Sequence, residues 1–103
     1  MGMTKAEKRR QKFARQFHSE AFVEFTKAQP CVVCGVRVAI ECAHNPSRGA
    51  GGTWEDVTPL CAFHHGEQHR GVETFQRRHG IRFSETNAAH AEAWRQHEGG
   101  LSE

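Results

Sequence analysis

Apolar residues near the start of the chain recur at every fourth position, which is the spacing of one helical face. The four residues that share this spacing are Phe13, Phe17, Ala21 and Phe25. Thr4 and Glu7 form a capping box that marks a helix start, and Pro30 ends the segment. The pattern therefore predicts one helix over residues 4–28, with an apolar stripe along its length.

After Pro30 the period of the pattern changes from four to two. Apolar side chains alternate with others over residues 36–44, which predicts a strand with His44 on its apolar face. Residues 45–52 have the composition of a loop, and residues 53–60 predict a short extended segment that brings the chain back. Helical spacing returns in three later segments, at residues 61–70, 72–79 and 84–98.

The composition narrows the class of protein. With 103 residues the chain forms one small domain, and 37% hydrophobic with 25% charged residues exclude a disordered or membrane protein. The N-terminal segment lacks the apolar stretch of a secretory signal, so we expect a soluble, cytoplasmic protein. Domains of this size usually need a disulfide or a bound metal for stability. In the reducing cytoplasm the 8 His and 4 Cys indicate a metal site rather than disulfides.

Two pairs of ligand-type residues have the spacing of a zinc site. Cys31 and Cys34 are separated by two residues, and so are Cys61 and His64. Such gaps let one turn present two ligands to the same ion, so the four residues predict a structural Zn²⁺. The alternative is that the cysteines are buried as small hydrophobic side chains, an interpretation that suits the unpaired Cys42.

His65 and His69 form a second candidate metal site, because residues four apart on a helix project from one face. Surface histidines without a ligand role are the alternative. The first twenty residues are strongly basic and offer candidate nucleic-acid contacts at Lys8, Arg9, Arg10, Lys12 and Arg15. A solvated helix face is the alternative for this charged segment.

The order of these motifs resembles the HNH endonucleases of the ββα-metal fold. The similarity covers residues 30–82 and is carried by Cys-x2-Cys-Gly, a strand ending in Ala-His, a Gly-rich loop, and the block Asp-Val-Thr-Pro-Leu-Cys-x2-His-His-x3-His. The chain looks most like small phage and prophage members similar to the RecA-dependent nuclease group. The resemblance implies an α+β fold with a small ββα-metal core and a structural zinc knuckle.

The resemblance also implies roles for single residues. His44 would be the general base that activates water, and Asp56 stands where the family usually has an Asn that braces the loop holding the base. His65 and His69 would hold one catalytic divalent cation, whether Mg²⁺, Mn²⁺, Ni²⁺ or Zn²⁺. Arg48 is a candidate phosphate contact through its planar guanidinium, with an ordinary surface arginine as the alternative.

The chain departs from the family pattern at two positions. Ala43 replaces an Asp or His ligand, and an alternative register makes His44 the ligand and puts Asn45 in the base position, where it cannot act as a base. Asp56 replaces Asn, and its carboxylate would orient His44 or supply a metal contact.

We therefore expect a metal-dependent endonuclease that hydrolyses DNA, with RNA left open as a target. The expected organisation is a basic amphipathic helix over residues 1–29, the nuclease core over 30–82, and a C-terminal helix and tail over 83–103. A recombinase or a phage packaging or terminase protein is the candidate partner. The alternative function is an inactive zinc-finger module that binds nucleic acid or another protein.

Overall fold

The computed structural model describes residues 2–101, which form α-helices around a two-stranded antiparallel sheet. The helices are α1 (Lys5–Phe17), α2 (Glu20–Lys27), α3 (Ala62–His69), α4 (Val72–His79) and α5 (Phe83–Leu101). The strands are β1 (Ile40–His44) and β2 (Val57–Cys61). The α+β class predicted from the sequence is confirmed at this level, as are helices over the three later segments.

The register of the β-hairpin separates two candidate sites. Ile40 pairs with Cys61 at one end of the sheet, and His44 pairs with Val57 at the other. Helix α3 begins directly after Cys61, so a candidate zinc ligand stands at the strand-to-helix junction. The hairpin thus carries Cys61 at one end and His44 at the opposite end.

The prediction of one helix over residues 4–28 is wrong, because the chain turns between α1 and α2. His18 has a positive φ of 65° with ψ of −65°, which ends the first helix. Ser19 then caps the second helix, since its hydroxyl accepts a hydrogen bond from the amide of Phe22 at 3.1 Å. Residues 1–29 therefore contain two helices where the sequence predicted one, and residue 1 lies outside the described part of the chain.

The turn at His18 also breaks the predicted apolar stripe. Phe13 is 39% exposed and Ala21 is exposed, whereas Phe22, outside the predicted stripe, is fully buried. Because α2 starts again with its own rotation, a single four-residue period does not continue across both helices.

The predicted strand over residues 36–44 is correct only from Ile40 onward. Gly35 and Ala39 both have positive φ values, of 77° and 55°, so the backbone between them forms a loop. The amide of Cys31 donates to the carbonyl of Val36 at 2.8 Å, which closes a tight turn, and Val38 is left 73% exposed. The predicted extended segment at 53–60 likewise begins with a short 3-10 turn, Trp54–Asp56.

Two clusters of buried side chains hold the helices to the hairpin. One joins the hairpin to α4 and the start of α5, through Ile40, Ala43, Leu60, Phe75 and Phe83. The other joins it to α2 and the body of α5, through Phe22, Val57 and Trp94. Among residues 2–101, none of the helices combines the length and apolar character needed to cross a membrane.

Candidate functional site

The four predicted zinc ligands converge at one end of the hairpin, in a cluster that we call the knuckle (Cys31, Cys34, Cys61 and His64). His64 Nδ1 lies 3.2 Å from the sulfur of Cys61 and 3.8 Å from that of Cys31, and the sulfurs of Cys34 and Cys61 are 3.9 Å apart. A tetrahedral ion with Zn–S bonds of about 2.3 Å and Zn–N bonds of about 2.0 Å separates its ligand atoms by about 3.4–3.8 Å. The side chains therefore fit a Zn²⁺ ion.

The electrostatics of the knuckle favour a bound cation. Burial opposes ionisation of Cys31, but hydrogen bonds from the amides of Cys61, Cys34 and Val33 outweigh it and lower the pKa of this thiol to about 6. Burial raises the pKa of Cys61, and the neighbouring sulfur of Cys31 acts in the same direction. A cation at the centre would stabilise both thiolates together.

Helix α3 directs its consecutive histidines to different sites. Adjacent helical residues are about 100° apart around the axis, at 3.6 residues per turn. His64 consequently faces the sulfurs of the knuckle, whereas His65 faces away from them and lies beside His69, one turn later.

A cleft of about 690 Å³ opens beside His65 and His69; we call it the histidine cleft. Its walls come from α1, β1, the loop after β1 and α3. Three histidines and three basic side chains line it: His44, His65, His69, Lys12, Arg15 and Arg48. These residues span positions 12–69 of the chain, so only folding brings them together.

His44 is 8% exposed, and its orientation is set by the end of α1. Its Nε2 lies 2.7 Å from the carbonyl oxygen of Gln16, and Phe17 packs edge-on against its ring at 5.1 Å. Because a carbonyl can only accept, Nε2 carries the proton and Nδ1 keeps a lone pair. Burial lowers the pKa of His44 below 6.5, and the charge of Arg48 acts in the same direction. The carbonyls of Gln16 and Cys42 and the charge of Asp56 oppose this shift without reversing it, so the neutral ring predominates at pH 7.

His65 and His69 are arranged as a pair that can share an ion. Their Nε2 atoms are 3.1 Å apart, close to the spacing of about 3.3 Å expected for two nitrogens on one tetrahedral ion. The other nitrogen of His65, Nδ1, lies 2.7 Å from a carboxylate oxygen of Glu41 on β1. This contact leaves Nε2 of His65 as the nitrogen available for a ligand.

Asp56 does not contact His44 through its carboxylate. One carboxylate oxygen accepts from the amide of Thr53 at 2.9 Å and from its hydroxyl at 3.3 Å, which closes the 3-10 turn. The main-chain carbonyl of Asp56 accepts from the amide of Asn45, the residue after His44, at 2.9 Å. Asp56 therefore connects the loop to the end of β1, and its carboxylate acts on His44 only through its charge, which favours the protonated ring.

The buried Ala43 belongs to the core cluster, so its position on β1 supplies no ligand. Asn45 is engaged through its backbone, since its carbonyl accepts from the side-chain amide of Asn87 at 2.8 Å. Arg48 lies over the ring of Phe17 at 5.3 Å and lines the cleft.

The structure divides the predicted nucleic-acid contacts into two groups. Lys12 and Arg15 line the histidine cleft together with Arg48. Lys8, Arg9 and Arg10 lie on the preceding turns of α1, where their side chains are exposed. Helix α1 thus carries positive charge from the cleft outward. We call its five basic residues the basic arm: Lys8, Arg9, Arg10, Lys12 and Arg15.

Three residues of the site were missed by sequence reasoning. Glu41 contacts His65, the carbonyl of Gln16 holds His44, and the side-chain amide of Gln68 donates to the carbonyl of His44 at 3.2 Å. Only Glu41 had a signal in the sequence, as a lone carboxylate within the predicted strand. The other two depend on the packing of α1 and α3 against β1.

No curated protein and no solved structure matches the chain. One family model does match, over residues 8–94, and its description is Protein of unknown function (DUF968). The match extends from α1 through the hairpin and α3 into α5, and so includes the knuckle and the histidine cleft. The chain belongs to the DUF968 family.

Proposed function

We propose that this protein is a metal-dependent endonuclease of the HNH type that hydrolyses DNA phosphodiester bonds. The observation that carries the proposal is the histidine cleft, where neutral His44 and the His65/His69 pair share one surface with basic side chains. The strand–strand–helix order of β1, β2 and α3 supports the same assignment. In this proposal the knuckle holds a structural Zn²⁺ that fixes α3 to the hairpin.

His44 acts as the general base. The carbonyl of Gln16 binds its Nε2–H and leaves the Nδ1 lone pair to accept a proton from water. The water oxygen then forms a bond to phosphorus, and the bond from phosphorus to the 3′-oxygen breaks. The departing oxygen takes a proton from solvent to become a hydroxyl, and His44 returns its proton to solvent. General-base assistance of this kind contributes about 10²–10⁴-fold in rate.

His65 and His69 would hold the catalytic divalent cation through their Nε2 atoms, with Glu41 orienting His65. When bound, the cation supplies positive charge at the scissile phosphate and the departing oxygen. Two imidazoles suit Zn²⁺, Ni²⁺ or Mn²⁺ better than Mg²⁺, which prefers oxygen ligands.

The basic arm and Arg48 would bind the phosphate backbone. Lys12 and Arg15 supply charge at the cleft itself, and the exposed residues farther along α1 extend it along the duplex. Contacts to phosphate position a substrate without reading its sequence, so we expect cleavage with little base preference.

A plasmid-nicking assay tests the proposal. The wild-type protein is incubated with supercoiled plasmid and Mg²⁺, Mn²⁺, Ni²⁺ or Zn²⁺, with and without chelator, beside His44→Ala and the control His97→Ala. His97 is exposed and contacts Phe25, away from the cleft. We expect chelator-sensitive nicking that His44→Ala lowers at least 100-fold and His97→Ala preserves. Equal nicking by His44→Ala, or no nicking with any ion, would contradict the proposal.

A binding module without chemistry is the second candidate, and the burial of Ala43 favours it. The family position for a third ligand belongs to the core here, and Glu41 contacts Nδ1 of His65, which leaves the ion only the two imidazoles as protein ligands. Such a module would bind DNA with the same dependence on the basic arm. It would show no nicking, and His44→Ala would leave its affinity for DNA unchanged.

A further inference from the structure

A second pair of titratable side chains, Glu67 and His79, lies next to His64 of the knuckle. A nitrogen of His64, a carboxylate oxygen of Glu67 and a nitrogen of His79 all lie within 4.8 Å of one another. His79 Nε2 is 2.8 Å from one carboxylate oxygen of Glu67, and Arg78 pairs with the other. The Glu67 and His79 side chains are only 11% and 17% exposed, so the contact is largely shielded from water.

The chemistry of His64 calls for an acceptor at this position. Its Nδ1 faces the sulfurs of Cys31 and Cys61, so its other ring nitrogen carries the proton when Nδ1 binds a metal. Metal-binding histidines usually donate that second N–H to a carboxylate, a carbonyl or water. Glu67 is a carboxylate within reach, and a small side-chain rotation or one bridging water closes the gap.

We propose that Glu67, held in place by His79 and Arg78, is the hydrogen-bond acceptor that positions His64 for metal binding at the knuckle. His79 and Arg78 both belong to the last turn of α4, so the contact fastens that helix to the metal site. Each oxygen of Glu67 accepts from one basic side chain and keeps a second lone pair for His64. We assign Glu67 a positioning role because the knuckle already supplies the four ligands of a structural zinc site. The inference concerns the knuckle alone and is independent of nuclease activity.

Zinc affinity tests the proposal. Full-length protein is titrated with Zn²⁺ against a chromophoric chelator, as wild type, Glu67→Ala, Glu67→Gln and the control Glu73→Ala. Glu73 lies on α4, is exposed, and contacts Gln76. We expect Glu67→Ala to weaken zinc binding about 10–100-fold, and Glu73→Ala to leave it unchanged.

The Gln variant separates positioning from ion pairing. Its amide oxygen can still accept from His64 but carries no charge for Arg78, so we expect Glu67→Gln to recover most of the affinity that Glu67→Ala removes. Equal losses in Glu67→Ala and Glu67→Gln would overturn the proposal, because they would assign the effect to the ion pair. Unchanged affinity in Glu67→Ala would overturn it as well.

Two spectroscopic measurements complete the test. Co²⁺ at saturation should give the same thiolate-to-metal absorption in every variant, since the four ligands are unchanged.

A second Zn²⁺ that binds the wild type and is lost in His79→Ala would overturn the proposal, because Glu67 and His79 would then be ligands. If Glu67→Ala does not fold at saturating Zn²⁺, the wild-type His64 N–H decides by NMR: slow exchange with water supports the proposal, and fast exchange overturns it.

Discussion

The two sides of helix α3 present two different kinds of candidate metal site. At the knuckle, two of the three cysteines are buried, and the ligand atoms already have nearly the spacing of a tetrahedral ion. At the histidine cleft, two nitrogens from His65 and His69 face a cleft with a basic wall. A site closed by four protein ligands serves structure, whereas one with open positions leaves room for water or substrate.

In both candidate sites a carboxylate lies close to a histidine whose other ring nitrogen could bind a metal. His65 has the carboxylate of Glu41 at its Nδ1, and a carboxylate oxygen of Glu67 lies within 4.8 Å of a ring nitrogen of His64. A carboxylate behind each imidazole would direct the ligating nitrogen toward its own ion. One short helix can in this way support two sites with different ligands and different exposure.

The largest expected difference is between Cys34→Ser and His69→Ala. Structural zinc contributes about 10–16 kcal/mol in zinc-finger peptides, comparable to the whole stability of a small domain, so Cys34→Ser should unfold the protein. His69→Ala should keep its fold and its knuckle zinc but lose nicking. Thermal melts and metal content measured on both variants check this. If His69→Ala unfolds while Cys34→Ser does not, the ligands are assigned to the wrong sites.

A pH experiment tests His90, a histidine outside both candidate metal sites that burial keeps neutral. His90 is buried against Phe22 and Phe25, donates to the hydroxyl of Thr26, and burial lowers its pKa from 6.5 to about 4. Between these values the unfolded chain takes up a proton that the folded chain does not. The free energy of unfolding should therefore fall by about 3 kcal/mol between pH 7 and pH 4 through this group alone.

Urea denaturation at pH 7, 5.5 and 4 measures the effect, in wild type and in His90→Gln at saturating Zn²⁺. The difference between the two isolates His90, because acid also weakens zinc binding in both. We expect the variant to lose less stability on acidification than the wild type. Parallel pH curves would contradict the prediction, because they would show that His90 takes up its proton over the same pH range in the folded and the unfolded protein.

The loop beside the histidine cleft should be sensitive at one glycine and tolerant at another. A Cβ on Gly52 would lie 2.0 Å from the carbonyl oxygen of Pro46, a main-chain atom, whereas Gly49 has open space. We expect Gly52→Ala to destabilise the protein by about 2 kcal/mol and to lower nicking, with the knuckle zinc retained. Gly49→Ala is the control and should change stability by less than about 0.5 kcal/mol, as urea titration would show.

The smallest predicted effect concerns the basic arm. Replacing Arg9, Arg10 and Lys12 by Ala should weaken DNA binding and reduce its dependence on salt, by a slope of about 0.9 for each phosphate that the arm no longer neutralises. The control removes equal charge from three exposed arginines outside the cleft: Arg37, Arg77 and Arg82. Fluorescence anisotropy at several salt concentrations measures both. Equal slopes in the two triple variants would make α1 an ordinary solvated helix.

The sequence predicted the secondary structure well where local signals agreed and poorly where the backbone turns. Residues 72–79 were predicted helical with the same bounds that α4 has. The turn at His18 lies within a four-residue apolar period that continues across it, and the local signal against one helix is Ser19, a good capping residue. The loop before Ile40 was missed because its valines alternate like a strand although they are exposed.

The sequence by itself determined which side chains could form each site, because pairs three or four positions apart are brought together by local backbone geometry. This holds for Cys31 with Cys34, Cys61 with His64, and His65 with His69. Only the tertiary structure decided which groups contact or approach these histidines. They are the Gln16 carbonyl at His44, the Glu41 carboxylate at His65, and the Glu67–His79 pair near His64. Most of these contacts join elements distant in the chain, and the Glu67–His79 pair joins two successive helices. Their geometry follows from how helices pack on the hairpin, which no local spacing encodes.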